Sequence, residues 1–490
     1  MHVLSLITFL PLVGGILILL TPNEQKFAVR VLAAVSSGAA LIASIWLWLN
    51  FNGTTADLQF VEKFSWIPAF NVHYFMGVDG LSLPLIVLTT LLTFLSVIAS
   101  FHIELRIKEY FFFFLLLETG MLGVFVALDL FLFYVFWELT LVPMYFLIGI
   151  WGGPKKEYAA IKFFLFTLFG SMFMLVAILA LYFATQPHTF DFTELLARNA
   201  SLTKSLQLWI FLGLYVGFAV KIPAFPFHTW LPLAHVEAPT AVSVILAGVL
   251  LKMGIYGLMR FSLGLLPAAA QQLAYAMAVI AVINIVYGAL CSLAQTDIKR
   301  MIAYSSINHM GYAMLGMASL SLIGFNGAVL QMVNHGIITG SLFLLVGVLY
   351  DRAHTRDINA FGGLGSKLPI YAGFMTFACF ASLGLPLLSG FVSEFLCFLG
   401  AFQVPQYRYL TGISFIGVLI TAAFFLILIK KVFLGPFNTK WENLKDMDTR
   451  ELIATIPLLV LMVVLGIFPS LVLQPMNASL SHIVEILKLP

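Results

Sequence analysis

The chain has 490 residues, of which 61% are hydrophobic and only 10% are charged, whereas soluble domains carry about 25% charged residues. A mean hydropathy of +1.03 excludes a large aqueous domain and places the chain among integral membrane proteins. The net charge of +3 is small for this length, so the composition gives no electrostatic support to nucleic-acid binding.

The sequence predicts neither a cofactor nor a metal. Its three cysteines, Cys291, Cys379 and Cys397, stand singly in apolar runs without CxxC spacing. This spacing excludes a cysteine-ligated iron–sulfur cluster on this chain alone and favours packing roles. The first apolar run, 3–20, has no basic segment before it, so it is predicted to be a spanning helix and not a cleavable signal.

Fourteen apolar runs are about as long as the ~20 residues that a membrane-spanning helix needs. In chain order they cover residues 3–20, 28–50, 79–101, 110–128, 130–150, 158–184, 206–232, 239–263, 270–293, 298–318, 323–349, 368–403, 409–434 and 452–475. The sequence therefore predicts an all-α polytopic membrane protein with about fourteen transmembrane helices.

The seventh and twelfth runs are overlong and interrupted, which predicts discontinuous helices. The interruptions are Pro223, Pro226 and Pro232 in the seventh run, and Gly384, Pro386 and Gly390 in the twelfth. A proline removes a backbone donor, and a broken helix at membrane depth is tolerated only inside protein or beside a watery cavity. The two breaks therefore indicate an ion path inside the bundle.

The loop charges predict an orientation. Sixteen of the 25 lysines and arginines fall in the odd-numbered loops, and five fall in the even-numbered loops, namely Lys63, Arg198, Lys204, Arg260 and Arg408. The positive-inside rule then places the odd loops in the cytoplasm. Both termini are predicted to lie on the periplasmic side.

A short internal repeat divides the chain. GSMFMLVAILALY (170–182) aligns with GSLFLLVGVLYD (340–351), and the same shift of 170 carries Glu138 to Asn308. Five predicted helices separate the two members, so helices 4–8 and 9–13 would form an inverted repeat. The predicted units are an N-terminal three-helix segment (1–109), two repeats (110–265 and 266–436), and a C-terminal helix and tail (437–490).

The most informative residues are ionisable side chains inside apolar runs. Lys221 and Lys252 lie 31 residues apart on successive predicted helices, and Glu138 is the only charged residue in its run. A lysine near the bilayer centre costs about 2.5–3.5 kcal/mol, so such residues usually face a polar interior and serve ion transfer. Glu138 is predicted to pair with a cation such as Lys221, either in a proton path or as a structural ion pair.

His309, His335 and Glu394 extend this series. Imidazole can relay protons near neutral pH, although a single buried histidine can equally be a structural residue. Glu394 follows the second helix break and is the only acid in its run. The predicted path therefore consists of Glu138, Lys221, Lys252, His309, His335 and Glu394.

Other polar residues leave two interpretations open or favour a structural one. His228, His235 and Glu237 follow the first break and either line an entrance or cap a loop. Lys162 modulates Lys221 or extends to the membrane interface. Glu118 and Asp129 are predicted to be solvated near the ends of the fourth helix.

Five motifs carry a resemblance to a known family. They are MGVDGLSLPLIVLTT (76–90), FWELTLVPMYFLIG (136–149), VKIPAFPFHTWLPLAHVEAPTAVSVILAGVLLKMGIYGLMR (220–260), AYSSINHMGY (303–312) and GLPLLSGFVSEF (384–395). Over nearly its whole length the chain resembles the antiporter-like subunits of respiratory complex I, the proton-translocating NADH:quinone oxidoreductase. It is most similar to the M-type (chain 4) subunit, because Glu394 stands where L-type and N-type relatives carry lysine. The chain also ends about 15 residues after the predicted helix 14, without the long lateral extension of the L-type.

The resemblance implies a non-redox, proton-translocating subunit in a bacterial plasma membrane. Glu138 and Lys221 would be the coupling ion pair, Lys252 and the two histidines the central relay, and Glu394 the residue at the exit. L-type and N-type subunits would flank the chain on its two sides. Two alternatives are a D-type subunit of a multi-subunit Mrp cation/proton antiporter and a membrane scaffold subunit that conducts no ions.

Overall fold

The computed structural model describes residues 2–198 and 202–488, and the regular structure of these residues is almost entirely helical. The helices are α1 (Val3–Leu20), α2 (Lys26–Leu49), α3 (Leu83–Ala99), α4 (Ile107–Val126), α5 (Leu130–Leu139), α6 (Leu141–Trp151), α7 (Lys156–Ala184), α8 (Phe192–Ala197), α9 (Lys204–Lys221), α10 (Leu231–Glu237), α11 (Thr240–Ile245), α12 (Leu251–Gly257), α13 (Pro267–Leu293), α14 (Ile298–Ala318), α15 (Leu322–Ala353), α16 (Pro369–Ser382), α17 (Ser389–Gln403), α18 (Arg408–Phe433), α19 (Thr449–Ile467) and α20 (Ser470–Lys488). Two strands, β1 (Gln59–Ile67) and β2 (Val72–Val78), pair as an antiparallel hairpin.

Within the described residues, 11 helices are long and apolar enough to cross a membrane. The three other predicted spans are the two interrupted runs and α14, which carries Lys299, Arg300, Asn308 and His309 along its length. The prediction of a predominantly helical, multi-pass membrane protein is confirmed. The count of fourteen spans and the inverted repeat stay predictions.

The seventh predicted run contains a break between α9 and α10. The backbone N–H of Phe225 donates to Oδ1 of Asn284 on α13 at 2.7 Å, and Asn284 Nδ2 donates to the carbonyl of Pro223 at 3.3 Å. Asn284 is fully buried. A buried side chain on a neighbouring helix thus satisfies backbone groups that the prolines leave outside the helical ladder.

The twelfth predicted run breaks between α16 and α17. Gly384 has φ of +81°, a left-handed conformation that glycine adopts at little cost. Asn334 on α15 is fully buried, and its Nδ2 donates to the carbonyl of Ser389, the first residue of α17, at 2.6 Å. The predicted interruption is therefore present, and Asn334 links the start of α17 to α15.

The span Thr240–Leu263 is buried throughout and is irregular in a way that the sequence did not indicate. Two π-helical segments, Leu246–Leu250 and Leu258–Leu263, flank the seven residues of α12. Single π-helical turns inside α-helices occur frequently at functional sites. Lys252 lies in α12 between the two segments.

The β1–β2 hairpin was not predicted. Glu62 on β1 accepts from the backbone N–H of Leu4 at 2.8 Å and so caps the start of α1. Asp129, predicted to be solvated, is instead buried, because its side chain accepts from the N–H of His73 at 2.9 Å and from two N–H groups at the start of α5. The hairpin therefore fixes the ends of two helices.

The chain after α18 also differs from the prediction. The predicted run 452–475 is divided, since α19 ends at Ile467 and α20 begins at Ser470. Pro469 disfavours helical backbone at Phe468, which has φ of −122° and ψ of 61°. The expected tail is helical, and Ser479 of α20 accepts from the N–H of Gly80 at 2.9 Å.

Arg260 was assigned to an even-numbered loop, and this assignment is wrong. Its guanidinium makes two hydrogen bonds to the Asp79 carboxylate, and both residues are buried. The guanidinium carbon also lies 5.5 Å from the Tyr256 ring centre and 5.8 Å from the Phe192 ring centre. Arg260 therefore joins the end of the Thr240–Leu263 span to the loop before α3.

We expect Arg260→Met to lower the free energy of unfolding by about 3–5 kcal/mol, because it leaves the Asp79 carboxylate buried without a partner. The measurement is the thermal unfolding midpoint of the detergent-solubilised protein. Arg106→Met is the control, since it breaks the exposed Arg106–Glu109 pair and should cost less than about 1 kcal/mol. Equal losses in the two variants would contradict this account.

Candidate functional site

Four ionisable side chains form a connected row inside the bundle. Lys252 Nζ on α12 lies 2.6 Å from Nδ1 of His335 on α15, and Lys252 also donates to the carbonyl of Ala247. The ring of His335 lies 5.6 Å, centre to centre, from that of His309 on α14. His309 Nδ1 lies 3.2 Å from Oε1 of Glu394 on α17. Residues distant in sequence thus meet in the order Lys252, His335, His309, Glu394.

The row is almost sealed from solvent. The exposed fractions are 0% for Lys252, 2% for His335, 4% for His309 and 6% for Glu394. Two full positive charges on Lys252 and His335 would repel by about 6 kcal/mol at an effective dielectric constant near 20. We infer that the Lys252–His335 contact holds at most one positive charge. The number of protons in the row is therefore limited.

Polar contacts between α15 and α17 fix the position of Glu394. Ser393 donates to Oε1 of Gln331 at 2.6 Å, and Asn334 donates to Ser393 Oγ at 3.2 Å. A Cβ atom at Gly384 would lie only 3.0 Å from Glu394 Oε2. The glycine that bends the break therefore also provides the space for the carboxylate.

The position of His309 is fixed by the second helix break. Its Nε2 lies 3.1 Å from the hydroxyl of Ser382, the last residue of α16. Since Nδ1 faces Glu394, both ring nitrogens have a polar neighbour. This arrangement suits a group that receives a proton on one side and releases it on the other.

Lys221 occupies a second, separate site at the end of α9. Its ammonium donates to Thr140 Oγ1 at 3.4 Å and lies 5.3 Å from the Trp137 ring centre and 5.7 Å from the Phe163 ring centre. Lys221 is 1% exposed. A buried cation against two aromatic rings is stabilised by their quadrupoles.

Glu138 lies near Lys221 without touching it. Their charges interact, but among the described ion pairs there is none between these two residues, and Glu138 Oε1 is buried without a hydrogen-bond partner. The sequence predicted that Glu138 pairs with a cation such as Lys221, and this pairing stays a prediction. The junction of α5 and α6 places Thr140 next to the ammonium.

In the described part of the chain, no side-chain contact joins Lys221 to Lys252. Their helices pack closely, since a Cβ atom at Gly254 on α12 would lie 2.7 Å from the carbonyl of Phe218 on α9. The predicted series therefore separates into a peripheral unit, Glu138 with Lys221, and a central row of four residues. A transfer between the two units requires water.

Two further buried residues, His235 and Glu118, lie outside the path that the sequence predicted. His235 stacks on Phe343 with ring centres 4.6 Å apart and interacts electrostatically with Lys252, and neither of its ring nitrogens has a hydrogen-bond partner among the described residues. Glu118 is 0% exposed, and within the same part of the chain both of its carboxylate oxygens lack partners. The prediction of interfacial solvation for Glu118 is wrong. Glu118 is the twelfth residue of the 20-residue α4, and this central position in an apolar helix indicates burial away from the membrane interface.

The remaining candidates lie near the loops. Glu237 accepts from the backbone N–H of Lys155 at 2.8 Å and, together with Lys299, Asp351 and Arg356, lines a cavity of about 260 Å³. Glu237 therefore caps the loop before α7 and also lines the cavity. His228 Nε2 lies 3.3 Å from the Tyr287 hydroxyl.

Lys162 is only partly buried, and its ammonium lies over two aromatic rings of its own helix. The ring centres of Tyr158 and Phe166 are 6.0 and 5.7 Å away. This position favours extension toward the membrane interface over a contact with Lys221.

Comparisons with known proteins show the family. The family model for the transmembrane region of NADH:quinone oxidoreductases and Mrp antiporters matches residues 127–421, and the model for the amino terminus of NADH-ubiquinone oxidoreductase chain 4 matches residues 6–128. NADH-quinone oxidoreductase subunit M of Rickettsia typhi is 42% identical over 489 residues, which cover 98% of each chain. The chain belongs to the M-type (chain 4) family of NADH:quinone oxidoreductase subunits.

Other M-type relatives match over equally long stretches. Subunit M of Rhodobacter capsulatus is 43% identical over 501 residues, covering 99% of this chain and 96% of the relative. Chain 4 of Marchantia polymorpha is 39% identical over 485 residues, covering 98% and 97%. The family prediction made from the five motifs is confirmed.

A solved structure agrees with an assignment of the chain to complex I. Respiratory complex I from Thermus thermophilus contains a chain that superposes with a TM-score of 0.89 at 32% identity and covers 98% of this chain and 99% of that one. The Mrp complex of Dietzia sp. DQ12-45-1b contains a chain with a TM-score of 0.84 at 19% identity, covering 99% and 98%, which shows a shared fold alone. The chain is a multi-pass membrane-arm subunit of a proton-translocating NADH:quinone oxidoreductase, and the Mrp alternative is weaker.

We expect Lys252→Met to change the free energy of unfolding by less than about 1.5 kcal/mol. The substitution nearly preserves volume, and it removes a cation whose burial is itself unfavourable. The thermal unfolding midpoint of the solubilised protein measures this effect. A large loss of stability would show that Lys252 stabilises the fold. It would contradict the view that the buried lysine destabilises the protein and is present for transport.

Proposed function

We propose that the chain moves protons through the row Lys252, His335, His309 and Glu394, while carrying no redox chemistry itself. The observation that supports this proposal is the continuous set of contacts between these residues at depth in the bundle. Each member can gain or lose a proton, and burial keeps the row apart from bulk water. Redox energy would come from other subunits of the complex.

In this proposal Glu138 and Lys221 form the coupling unit. A change in their separation changes the interaction of the two charges by a few kcal/mol at an effective dielectric constant near 20. Moving one charge across 100 mV takes about 2.3 kcal/mol. The two energies are comparable, so the pair is capable of gating one proton. The ammonium of Lys221 donates to Thr140 and not to Glu138, so the distance between Lys221 and Glu138 can change without breaking a direct hydrogen bond between them.

The direction of transfer follows from the loop charges. The basic, odd-numbered loops would face the cytoplasm of a bacterial cell, with both termini in the periplasm. The cavity beside Glu237 and Lys299 lies at the basic end and would supply water for proton uptake toward Lys221 and the central row. Glu394 would release the proton on the opposite side.

The proposed assembly places L-type and N-type subunits on the two flanks. The units 110–265 and 266–436 would be inverted repeats, with one helix break in each, and 1–109 and 437–490 would be peripheral. The short match between residues 170–182 and 340–351 supports an internal symmetry between the two halves.

We expect Lys221→Ala to abolish most redox-driven proton pumping in the assembled complex, because it removes the charge that Glu138 acts on. The measurement is acidification of inverted membrane vesicles driven by NADH, together with immunodetection of the assembled subunits. Lys162→Ala is the matched control, since Lys162 is also a lysine near the first break but extends toward the interface. Intact pumping in Lys221→Ala would exclude the proposed coupling role.

We expect Glu394→Gln to lower the pumping rate by about 10²-fold, a typical effect of removing one proton-transfer group. The amide preserves the volume beside Gly384 but can neither pair with a protonated His309 nor accept its proton. The same vesicle assay applies. Glu157→Gln on the exposed start of α7 is the control, and equal rates in the two variants would contradict an exit role.

A further inference from the structure

A lateral cleft opens between α16 and α18. It has a volume of about 370 Å³, and its walls include Gly373 and Phe380 of α16 and Ile429 and Phe433 of α18. Thr376 supplies a single hydroxyl to an otherwise apolar lining. Such a cleft offers nothing to an ion or a sugar and fits a hydrocarbon chain.

The cleft is open because a side chain is missing from its wall. A Cβ atom at Gly373 would meet no atom within 4 Å, so the helix surface there is open. Phe377, Phe380 and Phe433 surround this opening with large side chains. The result is an open slot along the surface of the two helices.

Three lysines lie at one end of the slot. Lys430 and Lys431 are in the last turn of α18, and Lys367 precedes α16. Gly365, which lines the cleft, packs against the end of α18, since a Cβ atom there would lie 3.0 Å from the carbonyl of Phe433. The backbone therefore brings the segment that carries Lys367 next to the end of α18.

Two of these lysines have no partner in the described part of the chain. Lys367 and Lys430 are exposed and make no side-chain hydrogen bond or ion pair there, whereas Lys431 donates to Oδ1 of Asn359 at 2.8 Å. The nearby carboxylate of Asp446 accepts from the backbone N–H groups of Ile370 and Tyr371 at 2.9 and 3.0 Å. It caps α16 and does not neutralise Lys367.

We propose that this cleft binds an anionic phospholipid, with one acyl chain in the slot and the headgroup phosphate between Lys367 and Lys430. Basic residues at the cytoplasmic ends of membrane helices attract anionic lipids, and basic pockets between such helices bind their headgroups. An apolar slot that ends at two unpaired cations matches both parts of that lipid. This site is independent of the proton path, because none of its residues belongs to the row or to the coupling unit.

The test is native mass spectrometry of the complex purified in a mild detergent, delipidated and then titrated with phosphatidylglycerol or phosphatidylcholine. Two variants address the two parts of the site. Gly373→Phe fills the slot, and Lys367→Gln combined with Lys430→Gln removes the charge. The controls are Gly412→Phe, at a helical glycine of α18 that is equally open, and Lys445→Gln, at an exposed lysine of the loop that follows α18.

We expect wild type and both controls to bind one phosphatidylglycerol in preference to phosphatidylcholine. Gly373→Phe should lose this bound lipid, and the affinity should fall about five-fold for each lysine removed. Equal binding of the two lipids, or unchanged phosphatidylglycerol binding in both test variants, would overturn the proposal. Loss of another subunit from the Gly373→Phe complex, with lipid binding unchanged, would also overturn it and assign the cleft to a protein contact.

Discussion

The structure depends on one constraint: every backbone polar group at membrane depth needs a partner inside the protein. Continuous helices meet this need by themselves, but the segments 222–230 and 383–388 do not. Asn284 supplies partners to Phe225 and Pro223 in the first segment from a neighbouring helix, and in the second segment the N–H groups of Leu385 and Leu388 donate to nearby backbone carbonyls. Because both segments find partners inside the protein, the chain can end one helix and begin another in the interior of the bundle.

The breaks create the electrostatic setting of the site. Lys221 is the last residue of α9, where the negative end of the helix dipole favours a cation. Glu394 lies near the start of α17, and the same turn that interrupts the helix positions Ser382 against His309. The charged groups are therefore placed by irregular backbone, and the regular helices around them exclude water.

Much of this arrangement was predictable because the cost of burying charge is large. Lys221, Lys252 and Glu394 stand alone in apolar runs, and the prolines and glycines nearby indicated both breaks. The two histidines stand in the order His335, His309 between Lys252 and Glu394, which the sequence did not indicate. The geometry of contact was not predictable, because the side chain that Lys221 touches depends on where α5 ends and α6 begins.

Other features had weaker signals in the sequence. The hairpin strands are short and lie between long apolar runs, so hydropathy did not distinguish them from a loop. No residue type distinguishes the two π-helical segments from an ordinary α-helix. The burial of Arg260 depends on Asp79, which lies 181 positions away in the sequence. Glu118 was misjudged because an acid in a spanning helix was assigned to the interface without regard to its central position.

The close approach of Gly384 to Glu394 has a consequence for how this family diversifies. A Cβ atom at Gly384 would lie 3.0 Å from Glu394 Oε2, so any other residue at position 384 would press on the carboxylate. The left-handed backbone of Gly384 also disfavours other residues there. A substitution at one of these two positions therefore limits which residues the other position accepts.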